Sequence, residues 1–314
     1  MDRMNSPLVS KRSVIAVLVL LFVLEMVGSR MGYADTRRCV VIVAFSDSGF
    51  QQKTALRIKQ KIDAAGVRSE IISPDQIAIV PPDQQTLYVA IGEDAIETLD
   101  LFDPNAMVLR VNNAEIPALH YSSTQADLIT SQPTCKDLQL IKAMDAKWTT
   151  IGVLYSRNSA ITAAELVGCA VRYDLNLQLY AITDETDLLK SLQTAVENNH
   201  ILLAIVDPLI YNSRTVKNVL LTSYRHRKPV IGYSESFVQA GAIAAVYTSP
   251  EIAGDDAADI VIAFFANNWQ FRRKRYTPSG FSLGTNRQVG TSLDISLPDD
   301  EAIIETIRRL EAEP

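Results

Sequence analysis

Three short apolar segments, Ile151-Gly-Val-Leu-Tyr-Ser156, Ile201-Leu-Leu-Ala-Ile-Val-Asp-Pro208 and Pro229-Val-Ile-Gly-Tyr-Ser234, decide the fold class of this chain. Each has the length and apolar content of a buried strand, and each strand stops at Ser or Asp. Helical periodicity between them predicts right-handed βαβ crossovers and a parallel sheet. Because ligands of open α/β sheets lie beyond the carboxyl ends of the strands, this pattern favours a binding protein over an enzyme.

The alternation of strands and helices occurs twice, which predicts two lobes. Residues 118–133 are polar and lack a helical period, so we interpret them as a crossover between the two sets. The predicted fold is α/β, with two Rossmann-like lobes whose parallel sheets are flanked by helices and hinged around a central cleft. The N-terminal lobe is expected over 35–118 and is completed by about 248–270. The C-terminal lobe is expected over 119–247 and is completed by about 271–314.

The segment 1–34 has the three parts of a signal peptide. Arg3, Lys11 and Arg12 form a basic region, and an unbroken apolar run follows from Val14 to Leu24. Small residues at Gly32 and Ala34 predict cleavage after Ala34 and export to the periplasm. The run is shorter than the roughly 20 residues of an easy membrane span, although an uncleaved anchor is the alternative interpretation.

Net charge limits the kinds of partner that this chain can bind, and its cysteine count limits the number of disulfides. The whole chain has a formal net charge of −6, and the segment 1–34 holds four Lys or Arg and two Asp or Glu, so the chain from Asp35 onward carries −8. This charge argues against nucleic acid and against an anionic membrane face as partners. Three cysteines remain, so an exported chain has at most one internal disulfide. Cys135 and Cys169 fall on neighbouring predicted helices and could form it, but we favour three buried thiols, including Cys39.

The C-terminal half resembles a known family. Segments 206–213 (VDPLIYNS) and 228–242 (KPVIGYSESFVQAGA) look like the C-terminal lobe of ABC transporter substrate-binding proteins with the type I periplasmic-binding fold. The tail 281–298 is similar to the ending of the subgroup that includes tryptophan- and tyrosine-binding members. The resemblance implies a small-molecule ligand, which could be amino-acid-like, an ABC permease in the inner membrane as partner, and no cofactor. One departure is Phe45–Phe50, which runs almost directly into a helix where the family has a longer ligand loop.

Candidate ligand-binding residues follow from the strand ends. Binding a small polar molecule requires hydroxyls, amides, a charge and exposed N–H groups at helix starts. In the first lobe the candidates are Ser46, Asp47, Ser48, Gly92, Glu93 and Asn112. In the second lobe they are Ser156, Arg157, Asn158, Asp207, Ser234, Glu235 and Phe237.

Each candidate also has a structural interpretation. Ser156 and Ser234 would cap helices with or without a ligand. Asp207 is the strongest single candidate, because its carboxylate follows a fully apolar strand and could pair with an ammonium group in the cleft. The alternative for Asp207 is a helix cap near Asn212. Nearby tyrosines such as Tyr233 could stack on a flat ligand, or could belong to the core.

Enzymatic signatures are absent from the sequence. The three histidines, His120, His200 and His226, are isolated and lack metal-ligand spacing. There is no nucleophile elbow, Walker loop or dinucleotide fingerprint. We therefore predict an exported solute-binding protein. A periplasmic sensor or interaction module of the same fold, signalling to a membrane receptor or kinase, is the first alternative, and an α/β enzyme is the second.

Overall fold

The structure is a computed structural model that describes residues 39–45, 49–79, 86–113 and 123–312. Its framework is two six-stranded sheets. The first sheet has the order β11-β5-β4-β3-β1-β2, all parallel, with strands β1 (Cys39–Val43), β2 (Arg68–Ile72), β3 (Thr86–Ile91), β4 (Met107–Asn112), β5 (Gln125–Ile129) and β11 (Arg275–Tyr276).

The second sheet repeats this design with one antiparallel edge. Its strands are β6 (Thr150–Tyr155), β7 (Asn176–Ala181), β8 (Ile201–Leu203), β9 (Val230–Gly232), β10 (Ala244–Tyr247) and β12 (Ser282–Thr285). Their order is β12-β10-β9-β8-β6-β7, and only the β10–β12 pair is antiparallel. The two parallel-dominated sheets confirm the predicted fold class of two α/β lobes.

Helices cover both faces of each sheet. They are α1 (Gly49–Ala64), α2 (Glu93–Phe102), α3 (Cys135–Met144), α4 (Ala160–Arg172), α5 (Glu185–Asn198), α6 (Val216–Arg225), α7 (Glu235–Ala240), α8 (Pro250–Ala266), α9 (Arg287–Ser292) and α10 (Asp300–Ala312), with 3₁₀ turns at Pro74–Ile79 and Arg157–Ser159. In β1 successive side chains alternate: Val40 and Ile42 pack under α1 and α8, while Val41 and Val43 face α2. On the second sheet α3, α4 and α10 cover one face, and α5, α6 and α7 the other.

The first lobe is closed by α8, a helix that comes from far along the chain. A Cβ at Gly254 would lie 2.6 Å from the Cβ of Arg57, so glycine allows α8 to approach α1 closely. The Arg57 guanidinium also donates two hydrogen bonds to the Asp255 carboxylate, at 2.8 and 2.9 Å. This pair lowers the pKa of Asp255, because it stabilises the charged carboxylate.

The predicted crossover at 118–133 is wrong in part, because it contains β5. This strand lies inside the first sheet, between β4 and β11, so the chain leaves the first lobe after Ile129 rather than at residue 118. Its polar sequence is explained by Asp127, which accepts a hydrogen bond from the buried Arg110 of β4 at 2.6 Å. Likewise β11, which lies within the segment 271–314 that we assigned to the second lobe, pairs with β5 of the first.

The favoured interpretation of three buried thiols is also wrong. Cys135 of α3 and Cys169 of α4 form a disulfide, with their Cα atoms 5.3 Å apart. That spacing lies within the usual range for a disulfide.

Within the described ranges, none of the helices combines the length and the apolar character needed to cross a bilayer. The predicted signal segment, residues 1–34, lies outside these ranges.

Candidate functional site

Two cavities open at the carboxyl ends of the strands in the second sheet. The larger, which we call the β6 pocket, has a volume of about 490 Å³ and is lined by Tyr155, Ser156, Arg157, Asn158, Ala160, Ala181, Ile182, Thr183 and Leu209. The smaller, the β9 pocket, has about 280 Å³ and is lined by Tyr211, Asn212, Ser213, Val216, Tyr233, Ser234, Ser236, Phe237 and Ala240. Both lie at the position where ligands of open α/β sheets bind.

Asp207 lies beneath these pockets and is bonded within the protein. Its side chain is 1% exposed. One carboxylate oxygen accepts the Ser156 N–H at 2.9 Å and the Ser159 hydroxyl at 2.5 Å, and the other accepts the Leu209 N–H at 3.0 Å. The carboxylate therefore ties the loop after β8 to the loop after β6. It does not face the cleft as an ammonium partner would require. The bond from the Leu209 N–H, with the Ile210 and Tyr211 N–H groups donating to the Asp207 carbonyl at 3.1 and 2.8 Å, caps the turn that leads to Asn212, although the regular helix begins only at Val216.

The β6 pocket contains three candidates that the sequence placed together. Ser156 caps the 3₁₀ turn by accepting the Asn158 N–H at 3.1 Å, so its structural interpretation is confirmed. Arg157 and Asn158 are exposed at the pocket rim. A guanidinium and an amide at this rim could bind an anionic or carbonyl-bearing part of a solute.

An aromatic cluster forms one wall of the β9 pocket. The ring centroids of Tyr211 and Phe237 are 5.6 Å apart, and those of Tyr233 and Phe237 are 5.1 Å apart. A Cβ at Gly232 would lie 2.7 Å from the Cβ of Phe237, so glycine is needed for this packing. Burial, followed by the nearby Asp207 charge, raises the pKa of Tyr233, so its hydroxyl stays protonated at neutral pH. This wall offers apolar ring surface together with hydroxyl groups.

The remaining second-lobe candidates lie on the first turn of α7. Ser234 caps α7 by accepting the Phe237 N–H at 3.2 Å, which confirms the capping interpretation. Glu235 is exposed and is not among the pocket-lining residues, while Phe237 lines the β9 pocket but is only 5% exposed, because most of its side chain packs in the core. The second lobe therefore brings most of its predicted residues to one edge of the sheet, but several of them serve the fold.

The first lobe has a smaller constellation around Gly92. This residue has φ of 88° at the start of α2, where it donates its N–H to the Val111 carbonyl at 2.9 Å. The Gln51 amide fills the space beside it, since a Cβ at Gly92 would lie 2.2 Å from Gln51 Nε2. Gln51 also accepts the Phe45 N–H at 3.2 Å.

The other first-lobe candidates are less concentrated. Glu93 is exposed on the first turn of α2, and Asn112 is half-buried at the end of β4. Ser46, Asp47 and Ser48 lie outside the described residues.

In the part of the chain that the structure describes, three crossings connect the lobes, and the side chain of Gln132 on one of them contacts the other two. The chain passes between the sheets at 130–134, 248–249 and 277–281. The Gln132 amide nitrogen, on the first crossing, donates to the Thr248 hydroxyl at 2.7 Å on the second. The same nitrogen donates to the Gly280 carbonyl at 2.9 Å on the third. We call these three residues the crossing clip.

A family model described as ABC transporter substrate binding protein matches residues 127–298. The chain belongs to this family. A comparison with curated proteins finds no match.

Solved structures of ABC substrate-binding proteins share the fold of this family member. A ligand-free, open substrate-binding protein with adhesive properties from Clostridium difficile has a TM-score of 0.70 at 15% identity, covering 84% of this chain and 97% of that one. An ABC domain in complex with L-Trp from Streptococcus pneumonia has a TM-score of 0.61 at 15% identity. The match covers 86% of this chain and 98% of that one. A conserved domain protein from Vibrio cholerae has a TM-score of 0.63 at 18% identity. The match covers 86% of this chain and 98% of that one. At these identities the likeness shows the fold, which is the type I periplasmic-binding fold.

Sequence reasoning missed two functional candidates in this substrate-binding protein. Gln51 is not among the candidates from the sequence, although it lies beside Gly92 at the strand ends. Gln132 was placed in an unstructured crossover. A signal for both exists in hindsight: each is an amide close to a predicted strand end or lobe boundary, where a polar side chain can join segments that are distant in sequence.

Proposed function

We propose that this protein is an exported solute-binding protein, not an enzyme, that captures a small molecule between its lobes and delivers it to an inner-membrane ABC permease. The observation that carries the proposal is the pair of pockets at the strand ends of the second lobe, in a member of the substrate-binding family. The three crossings supply a hinge, since a few connecting residues can absorb the backbone changes that closure of two lobes requires.

The candidate ligand contacts divide between two kinds of chemistry. Arg157 and Asn158 offer a cation and an amide at the β6 pocket, while Tyr211 and Tyr233 offer rings and hydroxyls at the β9 pocket. Because the Asp207 carboxylate is already bonded inside the lobe, an ammonium group on the ligand would need its partner elsewhere. Amino acids are the first probes to test, with L-Trp among them, because a protein of the same fold binds L-Trp.

We also propose that the chain works in the periplasm after removal of its signal segment near Ala34. The Cys135–Cys169 disulfide supports this compartment, because disulfides persist mainly in oxidising environments. Mass spectrometry of the protein recovered from a periplasmic fraction tests this directly. A mass that begins at Asp35 agrees with cleavage, and retention of residues 1–34 favours the anchored alternative.

A ligand screen tests the binding proposal. The exported protein is screened by thermal shift against amino acids, short peptides, purines, sugars and organic acids. A ligand at 100 times its Kd stabilises by about 2.7 kcal/mol. Small-angle scattering with the ligand found should show a smaller radius of gyration. A screen without any stabilising compound, on folded protein, would contradict solute binding.

Two variants locate the site. Arg157→Ala with Asn158→Ala should weaken the ligand's effect without loss of fold, because both side chains are exposed at the pocket rim. Arg172→Ala, at the opposite end of α4, is the matched control and should bind as wild type. Uptake of the same ligand by cells with and without the gene then tests delivery to a permease.

A further inference from the structure

We propose that the first lobe binds an anionic membrane surface through a basic loop, defined as Arg272, Arg273, Lys274 and Arg275. All four residues are exposed. The loop follows α8 and ends in the first residue of the short edge strand β11, and it presents four cations in a row on a chain of net charge −6. A net negative chain disfavours contact with an anionic surface as a whole, but interaction at close range follows the local charge within a Debye length of about 10 Å.

Backbone hydrogen bonds and an aromatic contact hold the loop in place, and its four charged side chains remain exposed to solvent. The Lys274 carbonyl accepts the Asp127 N–H at 2.9 Å, and the Arg273 N–H donates to the Tyr276 hydroxyl at 3.2 Å. Just before the loop, Phe271 packs on Phe264 with ring centroids 4.5 Å apart. The backbone and the aromatic anchor therefore fix the loop, while the charged ends extend to solvent.

Three of the four cations in the loop differ from other basic sites of the described chain. Within the part of the chain that the structure describes, Arg272, Arg273 and Lys274 form no ion pair. The second basic cluster, Arg225 to Lys228 at the end of α6, differs because Arg227 pairs with Asp294. A charged residue on an edge strand can prevent that edge from pairing with another chain. This role explains Arg275, which lies on β11, but not the three basic residues that precede the strand.

Topology places the loop on the side of the lobe away from the pockets and near the start of β1. The first sheet is entirely parallel, so the beginnings of β1, β2 and β11 lie at the same edge. Strand order puts β11 four positions from β1, about 19 Å away. Arg68 begins β2 at this edge, and it is exposed. This edge lies opposite the carboxyl ends of the strands in the first sheet, so contact with lipid headgroups here would leave those ends free to bind a solute.

Binding of the exported protein, as purified from cells, to lipid vesicles tests the proposal. Binding is measured by cosedimentation with vesicles of equal phosphatidylglycerol and phosphatidylcholine, and with phosphatidylcholine alone. The difference between the two isolates the electrostatic part from any apolar insertion. We expect binding to the anionic vesicles at about 50 mM NaCl that is largely lost at about 500 mM.

Variants that remove positive charge test whether the basic loop is the surface that binds the vesicles. Arg272→Gln with Lys274→Gln should lower the anionic-vesicle partition about 25-fold, since each basic residue near such a surface contributes about fivefold. The matched control, Arg225→Gln with Lys228→Gln, removes the same amount of charge from the last residue of α6 and the turn after it, and should bind as wild type. Equal binding to both vesicle types, or equal loss in both variants, would overturn the proposal. Salt-sensitive binding to an acidic protein without vesicle binding would overturn it as well.

Discussion

Replacing Asp207 with alanine should destabilise the second lobe strongly, whether or not a ligand is present. Its buried carboxylate accepts two backbone N–H groups and one hydroxyl. Hydrogen bonds to a charged group contribute about 1.5–3 kcal/mol each, but removing the carboxylate also relieves its own burial. The expected net loss is therefore about 3 kcal/mol, or about 6–12 °C in Tm.

Urea unfolding at pH 7 measures this loss of unfolding free energy. Tryptophan fluorescence can be made to report the second lobe alone. The chain has two tryptophans: Trp148 packs in the second-lobe core and Trp269 against the first. In a Trp269→Phe background, the fluorescence of Trp148 reports the second lobe alone. Asp207→Ala should lower the urea midpoint in that signal.

Asp184→Ala is the matched control for this experiment. Asp184 also accepts two backbone N–H groups, those of Thr186 and Asp187, but it is exposed to water. Its replacement should cost less than that of Asp207. A loss below about 1 kcal/mol at Asp207 would refute the reasoning, since that is the size of one ordinary hydrogen bond. The prediction also means that failure of Asp207→Ala to bind a ligand is not evidence of direct contact.

Three further changes probe other parts of the molecule. Burial raises the pKa of Asp137 to about 8 from 3.8, so folding must take up a proton between those values and the carboxylate costs stability as pH rises. Asp137→Asn should therefore raise Tm relative to wild type increasingly from pH 4 to pH 8 in a fluorimetric melt, and a constant difference would contradict this pKa. Breaking the disulfide with Cys135→Ser and Cys169→Ser opens a loop of 34 residues and should lower the unfolding free energy by about 3–4 kcal/mol in urea titrations; no change would show that the bridge is not formed. Gln132→Glu keeps the size of the side chain but removes the amide donor, so it should speed limited proteolysis at the crossings as much as Gln132→Ala does, and unchanged cleavage would argue against the crossing clip.

The sequence predicted most strands and helices because the buried parallel strands are short, apolar and separated by regular helical patterns. The failure at β5 has a physical cause. Its Asp127 pairs with Arg110 inside the first sheet, and a buried ion pair makes an interior strand look like a polar loop. The strand β11 has two residues, which is too short for any periodicity.

The strand ends that carry the candidate residues were predictable, but the orientations of the side chains were not. The sequence placed Ser156 and Ser234 directly after strands, and the structure has both lining pockets there and capping the helical turns that local preferences predict. The direction of the Asp207 carboxylate depends on Ser156 and Ser159, which belong to the loop after a different strand, so no local pattern could reveal it. The crossing clip likewise depends on contacts between crossings that are far apart in sequence.

The late arrival of α8 has a consequence for biogenesis. The apolar face of the first sheet under α1 is covered by Ala257, Val261 and Phe264, which follow every strand from β1 to β10 along the chain. The second lobe in turn waits for β12 and α10 near the end of the described chain. Neither core can close before these late elements have been synthesised. A chain with this order of elements acquires both lobes together, once its last helices are available, and a chain that still lacks them leaves an apolar face of each sheet uncovered.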